Sequence, residues 1–390
     1  MLLNKDNKMI NRREFLKSFL FTPIFADLFL KDLSIKKRAL PFFNAGVYPL
    51  SGKYSYIGRY IKIIIEYTNY LIKIENPLIA KFFEGNFKVI SSFLNDKSVE
   101  FMDTILGIKL NEYPEILFVH GSYASNLTEK LKYSCYISKL PLINFISTAS
   151  NLTNTDNAYF VRTCASNSKI IFKLIYDFIP KNFMGNFALL HAPNTYGFDV
   201  FFNLKEKLMF NSLKKFFVFY QPVTDLTNLK ISVEILKKKE VNLLISALYL
   251  QDFKKLLKYL HDVNYYPVIV SLTYAYKNFL RDIKNIFNKF EIYYVDHRGS
   301  YLKDDFLKLN ETFKLKTGLT LDTNLARVFQ GYLIALYPLS FNIKSRESYI
   351  KILKSIRISR DKLFLDWDDV IFENAENIGA RVEFKRWILV

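Results

Sequence analysis

Ile116-Leu117-Phe118-Val119-His120-Gly121-Ser122-Tyr123-Ala124-Ser125 is the stretch that decides the fold. The apolar run Ile116 to Val119 has the length of a strand buried on both faces. Gly121 then permits a tight turn, and Ser125 suits the N-cap of a helix that continues through Leu127 and Leu131. A helix N-terminus with free N–H groups and a serine hydroxyl is ready to receive a carboxylate or another anion. The stretch therefore predicts a buried parallel strand leading into a ligand-binding cleft.

The pattern extends in both directions. Strands are expected at 42–48, 87–93, 116–119, 142–145, 187–191, 216–220, 243–247, 268–272 and 292–295. Helical patterns fill 59–70, 99–110, 169–178, 199–213, 229–239 and 253–263. This alternation predicts an α/β chain whose parallel sheets carry helices on both faces. At 390 residues the chain is long enough for two domains with substantial cores. No internal repeat, low-complexity stretch or Gly/Ser linker interrupts it.

Composition excludes several classes of function. Half of the residues are hydrophobic, yet no run is long enough for a second membrane span. Phe, Tyr, Lys, Asn and Ile all have AT-rich codons, so a single aromatic carries little meaning here. The formal charge is +18, but the basic residues are dispersed beside acids, as at Lys237-Lys238-Lys239 and Lys254-Lys255. With no nucleic-acid-binding pattern visible, this reads as a solvated basic surface and not a nucleic-acid partner.

Enzyme chemistry finds little support, and neither a cofactor nor a metal is expected. His120, His191, His261 and His297 are scattered, without metal-ligand spacing. No GxSxG, Walker, GxGxxG or CxxC pattern occurs. His120 and His191 end strands and read as packed, hydrogen-bonded histidines. Asp296-His297-Arg298 reads as a crossing or turn. Cys135 and Cys164 read as two buried thiols.

The N-terminus carries an address. Asn11-Arg12-Arg13-Glu14-Phe15-Leu16-Lys17, followed by the short apolar run Ser18 to Phe25, resembles a twin-arginine export signal, with Ala26 a candidate cleavage position. The expected location is therefore the periplasm, with the twin-arginine machinery as an export partner.

Beyond this leader, Gly121-Ser122-Tyr123-Ala124-Ser125 resembles the first ligand loop of the type I periplasmic binding proteins, specifically the leucine/isoleucine/valine-binding branch. Gly46-Val47-Tyr48-Pro49-Leu50-Ser51-Gly52 with Gly58 resembles that family's opening strand and turn. The segment from Pro141 to Thr153 resembles its second strand and loop, and Phe160-Val161-Arg162-Thr163 its first crossing. Tyr196-Gly197 fits the next loop, and Glu373 to Ala380 resembles its closing turn.

The resemblance implies two Rossmann-like lobes joined by a three-strand hinge. Residues 1–42 would form the leader, 43–165 and 297–383 lobe one, and 166–296 with 384–390 lobe two. It also implies an extracytoplasmic protein that hands a small amino acid, or a related carboxylate or amide, to an ABC transporter permease. The alternative is a ligand sensor of the same fold.

In open α/β sheets, ligands bind beyond the carboxyl ends of the strands. Ser125, and then Ser147 and Thr148, stand at such positions, and by resemblance Ser125 and Thr148 hold the ligand carboxylate. Tyr196 and Tyr249 fit positions where the family places tyrosines against the ligand. Two departures concern the ligand's ammonium group. The positions at which amino-acid-binding members carry an acid fall on Asn167 and Thr273, and neither supplies a negative charge. The opening-loop aromatic is also displaced, with Ile57 in its place and Tyr54 or Tyr56 close by.

Overall fold

The computed structural model describes residues 41–83, 87–154, 158–273, 280 and 282–388. The expected export signal lies outside them. Two sheets organise the described chain. The first holds β1 (Phe42–Tyr48), β2 (Val89–Asn95), β3 (Ile116–Gly121), β4 (Leu142–Asn144), β5 (Phe160–Arg162), β11 (Phe372–Glu373) and β12 (Glu376–Asn377). The second holds β6 (Phe187–His191), β7 (Phe217–Pro222), β8 (Leu243–Ala247), β9 (Val268–Ser271), β10 (Ile292–Asp296) and β13 (Glu383–Arg386).

Their orders are β11-β12-β5-β4-β3-β1-β2 and β13-β10-β9-β8-β6-β7. Each sheet thus has a parallel core of the same doubly wound order, with an antiparallel pairing at one edge. The chain passes between the sheets three times: after β5, after β10, and between β12 and β13.

The strand interiors explain why the sequence shows runs instead of alternation. In β6 and β8 every residue is buried, as expected of strands covered on both faces. The edge strand β2 is half-buried throughout and lies two residues later than expected. Gly121 ends β3 at φ +145°, where a Cβ would lie 2.2 Å from the Val47 carbonyl oxygen, so only glycine fits.

Ten helices of seven residues or more flank these sheets among the described residues: α1 (Ser55–Lys73), α2 (Glu100–Leu110), α3 (Ser125–Ile137), α4 (Asn167–Lys173), α5 (Thr195–Leu208), α6 (Leu226–Lys238), α7 (Leu250–Asp262), α8 (Asp304–Thr317), α9 (Thr323–Leu336) and α10 (Arg346–Ser355). α1 buries Ile57, Ile61, Ile64, Ile65 and Leu71 on one stripe, each worth roughly 1.5–3 kcal/mol. α9 is different, because all its residues are buried.

Ser125 does not cap α3. The N-cap is Ala124, which has no side chain to accept a hydrogen bond, and Ser125 is the first helical residue. Both cysteines are buried and unpaired. At the first crossing the buried Arg162 donates to Glu376 Oε2 at 2.8 Å and to Thr153 Oγ1 at 3.0 Å, fastening β12 beside β5. Among the described residues, no helix is long and apolar enough to cross a membrane.

Candidate functional site

The carboxyl ends of both sheets face a common narrow cavity with about 30 Å³ of enclosed space. Ser125 reaches it from the loop after β3, and Ser147 and Thr148 from the loop after β4. Tyr196 follows β6, Tyr249 follows β8 and Thr273 follows β9. Six residues singled out in the sequence thus meet around one space, three from each sheet.

Their hydroxyls are not equally available. Ser125 Oγ accepts from the Ala149 N–H at 3.3 Å. Thr148 Oγ1 has no hydrogen-bond partner among the described residues. Ser147 is engaged in structure: its Oγ meets the Tyr123 carbonyl at 2.9 Å and Thr128 Oγ1 at 2.6 Å, tying the two loops together. Tyr196 and Thr273 share a hydrogen bond of 2.9 Å. Burial raises the phenol pKa values of Tyr123, Tyr196 and Tyr249, so these walls are neutral.

An aromatic seam closes the cleft. Tyr249 of the second sheet packs on Tyr54 and Tyr123 of the first, with ring centroids 4.8 and 6.1 Å apart. Ile57 lies instead in the stripe that α1 buries. Asn167 does not line the cavity. Its amide donates to Asp199 Oδ2 at 2.8 Å, and the Ser150 N–H donates to the same oxygen at 2.9 Å. Asn167 therefore stands in a clasp between the loop after β4 and α5.

Sequence reasoning missed Tyr123, His297, Asn324 and Arg327, all of which line the cavity. Tyr123 sits inside the opening stretch and was masked by the abundance of tyrosine. His297 follows β10, where the same strand-end rule would have found it. Asn324 and Arg327 lie on α9, whose burial on all sides erases the amphipathic period. The remaining cue was the N-cap: Asp322 Oδ1 accepts from the Asn324 and Leu325 N–H groups at 3.0 and 3.1 Å.

Arg327 is 6% exposed. Its Nη1 meets His297 Nε2 at 2.9 Å, and its Nη2 donates to Asn324 Oδ1 at 2.8 Å. Burial and the adjacent Arg327 cation lower the His297 pKa well below its ordinary value, so the ring is neutral. Its Nε2 accepts from arginine, which leaves the ring proton on Nδ1.

His120 and His191 do not line the cavity. His120 bonds Tyr48 through Nδ1 and Asn44 through Nε2, both at 3.0 Å, and His191 Nδ1 lies 2.9 Å from the Ala192 carbonyl oxygen. Among the described residues, no group of three or more His, Cys, Asp or Glu could hold a metal.

No protein-family model matches the sequence, and no curated protein matches it either. Solved structures do match the fold. A possible leucine/isoleucine/valine-binding protein from Rhodopirellula baltica aligns with TM-score 0.72 at 13% identity, covering 91% of this chain and 98% of its own. The branched-chain amino acid transporter substrate-binding protein of Streptococcus pneumoniae, solved with isoleucine, aligns with TM-score 0.68 at 12% identity, covering 89% and 100%. This chain has the type I periplasmic binding protein fold. An ABC-transporter solute-binding protein of R. palustris, solved with benzoate, shares it with TM-score 0.69 at 13% identity, covering 89% and 93%. In the type I periplasmic binding protein fold the two sheets are the two lobes, and the cavity described above is the interlobe cleft.

Proposed function

We propose that this chain is the extracytoplasmic solute-binding protein of an ABC-type importer. It binds a small amino acid, or a related carboxylate or amide, between its lobes and delivers it to a permease. The observation that carries this reading is a cavity walled by strand-end residues of both sheets. A solute there touches both lobes only when they are together, so binding favours the closed form. Solute-binding proteins of this fold, two of them solved with isoleucine and benzoate, support the same reading. No catalytic step is required.

The leader supports a periplasmic address reached by the twin-arginine route, and Arg12→Lys with Arg13→Lys should leave the protein in the cytoplasm on fractionation. We take the leader to end near 42 and the domain limits to fall near 166, 297 and 384, a reading that the three passages of the chain between the sheets support.

The test of function is a thermal-shift and calorimetric panel of amino acids, their deaminated acids and amides. A ligand at 100 times its Kd should add about 2.7 kcal/mol of stability. Ser125→Ala should weaken that ligand about tenfold to a hundredfold, the worth of one hydrogen bond to a charged group. A flat response across the panel would refute small-solute binding.

A further inference from the structure

The cleft contains a cation that makes no ion pair with any described residue. The Arg327 guanidinium lines the cavity, and its two engaged N–H groups are held by neutral acceptors, the His297 ring and the Asn324 amide. A guanidinium has five N–H donors, so three remain, and Nε is buried without any partner among the described residues. No described carboxylate lies within ion-pair distance of it. Asp322 caps the backbone of α9 and acts on Arg327 only from beyond that distance. The other lining residues are hydroxyls, neutral phenols, an amide and the apolar Ile146, Leu272 and Val295.

Charge balance then selects the ligand. A zwitterion would pair its carboxylate with the arginine but leave its ammonium group without a carboxylate among the described lining residues. A dicarboxylate would leave one negative charge in excess. A monoanion brings the lining to neutrality, and a buried unpaired charge is the costliest thing a closed cleft can contain.

We propose that the cleft takes a small organic monocarboxylate with an apolar body and no ammonium group, and that Arg327, oriented by His297 and Asn324, receives its charge. The inference rests on the solute-binding reading above and narrows its ligand. Arg327 determines specificity, and His297 is a positioning residue that holds one guanidinium edge.

The experiment uses three probes with one carbon skeleton: isocaproate, its amide isocaproamide, and L-leucine. Calorimetric titration of the purified chain should show isocaproate binding about 100-fold tighter than either neutral probe. Arg327→Met should lose that preference, with isocaproate falling to the level of the amide, while the unliganded melting temperature holds or rises because a buried unpaired cation is gone. The wild-type comparison needs no variant, so it decides the matter even if Arg327→Met does not fold. Tightest binding of leucine, or equal binding of acid and amide, would overturn the inference and leave the solute-binding reading intact. Failure of these probes and of the wider panel would overturn both.

Discussion

Asp103 on α2 is wholly buried, and neither of its carboxyl oxygens has a partner. Burial, with help from Asp96 and Glu100, raises its pKa to about 9. The native carboxyl therefore keeps its proton at neutral pH, while the unfolded chain ionises with a value near 3.8. A raised folded-state pKa means that stability is full below the unfolded value and is lost as pH climbs toward 9. The slope is about 1.4 kcal/mol per pH unit for one group. Asp103→Asn has no proton to lose, so it should raise the melting temperature, and more at pH 8 than at pH 5. Melts at the two pH values check this, and an equal gain at both would contradict it. The acid's burial is not readable from Phe101-Met102-Asp103-Thr104, where it looks like any helical aspartate. Ser125, Thr148 and Tyr196 were readable because each follows a continuous apolar run that marks where a strand ends. Arg327 was not, because its helix shows no polar face.

Elements were legible wherever burial imposes a period, and less so at their starts. α5 begins at Thr195 instead of 199, and α6 at Leu226 instead of 229. In both cases a side chain sets the first turn before any apolar spacing exists: Asn194 accepts from the Gly197 N–H and Asp225 from the Asn228 N–H. Close packing sets the start of α1 in another way. A Cβ on Gly58 would lie 2.2 Å from the Pro49 carbonyl oxygen, a backbone atom that cannot step aside. Gly58→Ala should push α1 off the opening loop and cost about 1–3 kcal/mol. Urea titration gives the number, and an unchanged midpoint would show that the loop yields freely.

At the scale of the whole molecule, closure rests on more than the cavity. Asp199 Oδ2 accepts from the Ser150 N–H across the cleft and from the Asn167 amide on its own side, and Lys53 lies 3.8 Å from Asp252 at the rim. The rim pair is exposed and contributes little. The half-buried clasp contributes more, because its hydrogen bond across the cleft goes to a carboxylate. Asp199→Ala should raise the ligand's Kd about tenfold without altering the cavity wall, equivalent to about 1.4 kcal/mol of closing energy. Small-angle scattering should show the variant less compact than wild type in the presence of ligand, and identical profiles would remove Asp199 from the closing equilibrium.

The fastening of Arg162 to Glu376 also has a consequence in time. The two residues are 214 apart in the chain, and all of β6 to β10 is made between them. At about 5–20 residues per second, the ribosome delivers the carboxylate roughly 10–40 seconds after the guanidinium. Throughout that interval the edge of the nascent first sheet lacks its covering strand and presents a cation without its counter-ion. Lobe one is thus begun first and finished late, so a holding chaperone or a stalled export site meets that edge before β12 does.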